Sequence, residues 1–90
     1  MSLREKREVL DSLPDETILE IGLPQMRWYR KGSELQALCP FHDDHTLGNF
    51  GYNTGKHLWC CFVCGASGKG PISLVIKANG WTYAKVIDTL

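Results

Sequence analysis

Cys39-Pro40-Phe41-His42 and Cys61-Phe62-Val63-Cys64 each set two metal-binding side chains three positions apart. Two intervening residues let one tight turn present both donors to a single ion. Two such turns then supply three thiolates and an imidazole, a tetrahedral set that suits zinc. Eighteen residues, 43–60, separate the pairs. With four protein ligands no coordination position stays open, so one structural Zn²⁺ is expected and hydrolysis by a metal-bound water is disfavoured. Cys60 is an alternative partner for Cys64. Cys61 is preferred because it gives the tighter spacing and is followed by Cys64-Gly65, where glycine tolerates a left-handed backbone. Cys60 then alternates away from Cys61 along a strand and is assigned to core packing. His42 ranks above His45 and His57 by spacing. His45 could lie behind the ligands, Asp43 or Asp44 could orient His42, and a solvated loop is slightly preferred for both acids.

The rest of the chain fits this use of cysteine. The N-terminus, MSLREKREVL, has no hydrophobic signal core. A reducing cytoplasm is therefore expected, and there disulfides are disfavoured. Three of the four cysteines crowd into residues 60–64, a poor layout for stapling distant segments. Ninety residues make one domain with a modest core, which a metal would support. Three Trp, three Tyr and three Phe argue against disorder. No apolar run approaches the roughly 20 residues of a membrane helix, so no membrane partner is expected. The net charge is zero but uneven. Residues 1–45 carry six Lys/Arg and nine Asp/Glu, about −3, and residues 46–90 carry four and one, about +3. That polarity permits nucleic-acid binding without requiring it.

The elements that must position the ligands are short. Residues 4–12 read as a polar helix, and Pro14 opens a second over 15–22 that Gly22 and Pro24 close. Residues 25–32 and 34–39 read as strands around Gly32-Ser33, and 48–53 and 56–61 as a second hairpin turning at Asn53-Thr54-Gly55. Residues 65–70 read as a flexible loop. Gly70-Pro71 opens a helix over 72–79 that Gly80 ends, and Thr82 caps a last helix over 83–90. The fold class is small α+β: a zinc ribbon of antiparallel hairpins pinned by the metal and flanked by short helices. Residues 1–16 form a helical lead-in, and 17–90 form the zinc-binding domain.

Binding of single strands combines stacking aromatics with cations along a groove. Alternation sets Arg27, Tyr29 and Lys31 on one face and Met26, Trp28 and Arg30 on the other. On the later hairpin His57, Trp59 and Cys61 alternate with Lys56, Leu58 and Cys60. The candidate nucleic-acid contacts are Arg27, Tyr29, Arg30, Lys31, Lys56, Trp59 and Lys69. Phe50 and Phe62 are assigned to the core.

GSELQALCPFHDDHT at 32–46, CCFVCGASG at 60–68 and ISLVIKANGWTYAKVIDTL at 72–90 together resemble the zinc-binding domain of bacterial DnaG-type DNA primases, the CHC2 zinc-finger family. The resemblance spans about residues 17–90. It implies the ligand set Cys39, His42, Cys61 and Cys64. It also implies recognition of a single-stranded DNA template, and assistance to RNA primer synthesis by a separate catalytic domain that carries Mg²⁺-binding carboxylates. No such carboxylate cluster is evident here, so this chain alone is not expected to polymerise. A replicative helicase is a further partner the resemblance suggests. The sequence departs from the family pattern at Thr46-Leu47-Gly48-Asn49-Phe50, where Thr-Pro-Ser-Phe is usual, and at Gly68-Lys69-Gly70-Pro71, where Gly-Asp is usual. Those departures point to a plasmid, phage or mobile-element relative.

Two other functions compete. One is a zinc ribbon that docks onto a helicase or polymerase without touching DNA, which exposed apolar surface would favour. The other is a redox or iron-carrying thiol protein, suggested by Cys60 beside Cys61 and opposed by the histidine in the ligand set.

Overall fold

The computed structural model describes residues 2–90. The elements in chain order are α1 (Leu3–Asp11), α2 (Asp15–Gly22), β1 (Tyr29–Lys31), β2 (Glu34–Ala37), β3 (Phe50–Asn53), β4 (Leu58–Cys61), β5 (Ser67–Lys69), α3 (Pro71–Asn79) and α4 (Tyr83–Thr89). The five strands form one antiparallel meander in the order β1-β2-β3-β4-β5. This is the small α+β zinc-ribbon architecture expected from the sequence. No helix among the described residues is long and apolar enough to cross a membrane.

One face of the sheet is the core face. Alternation along the strands sends Leu35, Ala37, Phe50, Tyr52, Trp59 and Cys61 inward. They meet Leu19 of α2 and Leu23 just after it, Leu74 and Val75 from α3, and Val86 and Ile87 from α4, with Leu10 of α1 at the margin. α2 lies on α3 so closely that a Cβ at Gly22 would come within 2.6 Å of Val75 Cγ2. α1 packs on α4, where Lys6 pairs with Asp88 at 3.0 Å.

Capping follows the sequence. The Ser2 hydroxyl accepts from Glu5 N–H, and the Thr82 hydroxyl from Lys85 N–H. Gly80 ends α3 in the left-handed conformation.

Helix α2 is tied to the sheet through its first residue. Asp15 accepts a 2.6 Å hydrogen bond from the buried Tyr52 hydroxyl, and its same oxygen lies 2.5 Å from His57 Nδ1. Burial, with Asp15 beside it, pushes the Tyr52 phenol up.

Several expectations are corrected. The stretch 65–70 is no free loop: Ser67–Lys69 pairs with β4, with Gly68 opposite Trp59. A Cβ at Gly68 would overlap the indole of Trp59. Glycine here therefore makes room for a large ring rather than loosening the chain. The first strand shrinks to Tyr29–Lys31, so Met26 and Trp28 lie before it. β4 starts at Leu58, after a turn in which Asn53 Oδ1 accepts from Lys56 N–H and His57 adopts φ 58°.

Cys60 faces outward and is half-buried, since Cys61 takes the inward position. The assignment of Cys60 to the core fails for that reason. Phe62 is 79% exposed, because it sits at the tip of the second metal turn, beyond the last inward position of β4. Phe50 is fully buried, as expected.

Candidate metal centre and the open face of the sheet

β2 and β4 run in the same direction and end side by side across β3, so the turns that follow them meet at one end of the sheet. The row Ala37–Phe50–Cys61 marks that end. The donor atoms of Cys39, His42, Cys61 and Cys64 all lie within 4.8 Å of one another. Cys39 Sγ and Cys64 Sγ are 3.8 Å apart, and His42 Nε2 is 3.3 Å from Cys61 Sγ. Zinc bond lengths in a regular tetrahedron imply edges of about 3.8 Å between sulfurs and about 3.5 Å from sulfur to imidazole nitrogen. The four side chains therefore fit one zinc ion, and Cys60, His45 and His57 stand outside the group.

Each turn has its own scaffold. In the second, Gly65 N–H donates to Cys61 O at 3.0 Å and Ala66 O accepts from Cys61 N–H at 2.8 Å. Gly65 has φ 78°, which the turn requires and glycine supplies. In the first, Phe41 N–H points at Cys39 Sγ at 3.4 Å. The two buried thiols differ in electrostatics. Burial pushes the Cys39 thiol up to about 12. Burial also opposes ionisation of Cys61, but the amides of Cys64 and Val63 and the His42 ring outweigh it and bring that thiol down to about 6. Contact with Cys61 in turn raises His42. One thiol is thus already prepared as the anionic ligand that a metal needs.

The solvated-loop reading of the acids holds for Asp43 and fails for Asp44. Asp43 is exposed and pairs with His45. Asp44 is 8% exposed and accepts from Cys39 N–H at 2.8 Å, Asn49 Nδ2 at 3.1 Å and Thr46 N–H at 3.3 Å. It buttresses the first turn through the backbone of a ligand rather than through the His42 ring. Its carboxyl is held below the ordinary range, chiefly by the Cys39 amide. This support is in place above the ordinary carboxylate value and is lost as pH falls through the lowered one. Removing such an outer partner typically weakens metal binding 10–100-fold. Asp44→Ala is expected to lower zinc affinity by about that factor, measured by competition with a chromogenic chelator, while Asp43→Ala leaves it unchanged. The sequence signal was a second acid five residues after Cys39, within reach of that residue's amide.

The other face of the sheet is open to solvent. Outward positions carry Tyr29, Lys31, Glu34, Gln36, Gly51, Asn53, Leu58, Cys60, Ser67 and Lys69. A groove of about 590 Å³ runs between Leu58, Cys60 and Phe62, with Lys56 and Lys69 on its rim. Among the described residues, Arg4, Lys6, Arg7 and Arg30 have carboxylate partners. Lys77 and Lys85 lie over aromatic rings. Arg27, Lys31, Lys56 and Lys69 have neither kind of partner, and all four belong to the nucleic-acid candidates. The strands themselves carry one carboxylate, Glu34.

Two of the candidates are not brought into this set. Arg30 points the other way and is engaged by Glu16 and by Gly32 O. Trp59 is 2% exposed, turned into the core, and offers no free ring face.

Residues 5–90 match the family model described as the CHC2 zinc finger. A DNA primase of Thermotoga maritima is 32% identical over 85 residues, covering 93% of this chain and 15% of the relative. A DNA primase of Synechococcus elongatus is 26% identical over 86 residues, covering 96% of this chain and 11% of the relative. The chain thus spans a small part of the proteins it resembles. A crystal structure of the Aquifex aeolicus primase, comprising its zinc-binding and RNA polymerase domains, superposes with a TM-score of 0.69 at 25% identity, covering 96% of this chain and 20% of that one.

Proposed function

The chain belongs to the CHC2 zinc finger family, and from that premise we propose that it holds single-stranded DNA template for primer synthesis by a separate primase catalytic domain. The zinc ion fixes the strand ends, and the open face of the sheet carries the template. The observation that carries this reading is charge: the four cations without a partner, Arg27, Lys31, Lys56 and Lys69, belong to the outward face or its rim. Phosphates would replace water around them and release counterions. Tyr29, 45% exposed, and Phe62 supply the stacking rings. The chain's part is binding and positioning. The nucleotidyl transfer, the Mg²⁺ it needs and any helicase partner lie with the larger assembly, in a reducing cytoplasm that keeps the thiols free.

The test is oligonucleotide binding against salt. For single strands log K falls with log salt by about 0.7 per neutralised phosphate. Replacing all four cations by Ala is expected to flatten that slope by about two to three units, with zinc content and melting temperature retained. An unchanged slope would remove the charge argument.

A second reading rests on Phe62 and Val63, 79% and 62% exposed at the tip of the second metal turn. Such a tip suits docking on a protein, here a helicase or the catalytic domain. Loss of partner binding in Phe62→Ser/Val63→Ser, with DNA affinity unchanged, would favour it.

A further inference from the structure

At the β1 edge, a second groove of about 500 Å³ lies between Gln25, Met26, Arg27, Tyr29, Leu38, His45 and Leu47. Three different segments build it: the approach to β1, the residue after β2, and the loop that follows the first metal turn. Tyr29, Leu38 and Leu47 are each close to half exposed, 45–46%. They converge on one hollow instead of being scattered over the surface, and scattered apolar residues would need no explanation.

The rim is donor-rich and cationic. Arg27 has no ion-pair partner among the described residues, and no carboxylate lines the groove. Of the two acids just before His45, Asp44 is turned inward to the Cys39 amide and Asp43 is paired with His45 Nε2 at 3.1 Å. The volume falls in the roughly 300–1,000 Å³ range of small-ligand sites. Leu47 belongs to the stretch 46–50 where the sequence departs from the usual family pattern.

The geometry points to a seat for one unstacked nucleobase of a single-stranded nucleic acid. The base lies against the Tyr29 ring and the Leu38 and Leu47 side chains, and Arg27 meets the adjoining phosphate. An apolar slot with one stacking ring, a free guanidinium and no acid matches a nucleotide in both shape and charge. Tyr29 and Lys31 share the outward face, so a strand leaving this seat passes directly onto the cations of the open sheet. Gln25, and the ring nitrogen of His45 that Asp43 does not engage, border the slot with hydrogen-bonding groups that can meet base edges, which would make this hollow the source of any base preference.

This inference rests on the proposed template binding, and the experiment separates the two. The zinc-loaded chain is titrated with a short single-stranded DNA and with an abasic deoxyribose-phosphate strand of equal length, while the methyl signals of Leu38 and Leu47 are followed by NMR. The base-bearing strand is expected to shift both leucines upfield through its ring current, and the abasic strand to leave them in place. Tyr29→Ala is expected to lower affinity for the base-bearing strand roughly tenfold and to leave affinity for the abasic strand unchanged. Leu38→Ser/Leu47→Ser, both at half-exposed positions, should act in the same direction without loss of fold. Leucine methyls that stay put while the strand still binds with a steep salt slope would overturn the nucleobase seat and leave template binding intact. Variants that keep DNA affinity but lose a protein partner would assign the groove to that partner instead. Absence of binding to either strand would overturn both readings.

Discussion

Removal of the metal, by chelation or by Cys61→Ser, is expected to unfold the chain. Small zinc peptides take about 10–16 kcal/mol of folding free energy from the ion, and a whole domain is typically stable by only about 5–15 kcal/mol. A sheet with one solvated face has little reserve to set against that loss. Cys61 sits where the effect is greatest. It is 3% exposed, closes the β4 ladder opposite Phe50, and has its thiol drawn below the ordinary range by the Cys64 and Val63 amides and the His42 ring. Far-ultraviolet circular dichroism and amide dispersion in NMR should both collapse when zinc is withdrawn and return when it is restored. Cys60→Ser, one residue away on the outward face, should melt as the wild type does. A metal-free chain with a native melting curve would contradict the structural role assigned to the ion.

The metal set was legible in the sequence because ligand spacing is a local property of turns. The choice of Cys61 over Cys60 followed from the same rule, and the structure bears out that choice. The helices were legible through their caps and breakers: Pro14, Gly70-Pro71, Gly80 and Thr82. What escaped was set by tertiary partners. β5 has the composition of a loop and exists because the free edge of β4 needs a pairing partner and Trp59 needs a residue without a side chain opposite it. The roles of Asp44 and Phe62 depend on which backbone amides and which sheet end lie nearby, and no periodicity reports that. Alternation correctly set Tyr29 and Lys31 on one face, but the sequence could not say which face the helices would cover, and so Trp59 was counted among the contacts.

Trp59→Ala is the second large effect. The ring stacks on Phe41 at 5.5 Å between centroids and lies 6.3 Å from Phe50. Its Nε1 donates to Ser73 Oγ at 3.0 Å, and that hydroxyl in turn donates to Lys69 O at 2.6 Å. The Lys77 ammonium lies 5.8 Å from the ring centroid. One side chain thus joins the first metal turn, β3, β5 and the start of α3. Truncating a buried Trp typically costs about 3–5 kcal/mol, and in a domain of this size each kcal/mol moves Tm by about 4–8 °C. A fall in Tm of at least about 12 °C is expected for Trp59→Ala by calorimetry. Trp59→Phe should recover much of the packing but not the bond to Ser73. A wild-type melting curve for Trp59→Ala, with only DNA binding lost, would show that the ring faces solvent after all.

The strict neighbour-to-neighbour order of the strands has a kinetic and entropic corollary. Every ladder joins segments adjacent along the chain, so the search for partners proceeds by short closures and involves no crossover. The span from Cys39 to Cys61, which an ion would otherwise have to gather from an open coil, is folded back on itself once β3 pairs with β2 and β4. Pairing of β3 with both neighbours and capture of the ion therefore stabilise each other: the hairpins bring the two ligand turns to one end of the sheet, and the ion holds them there.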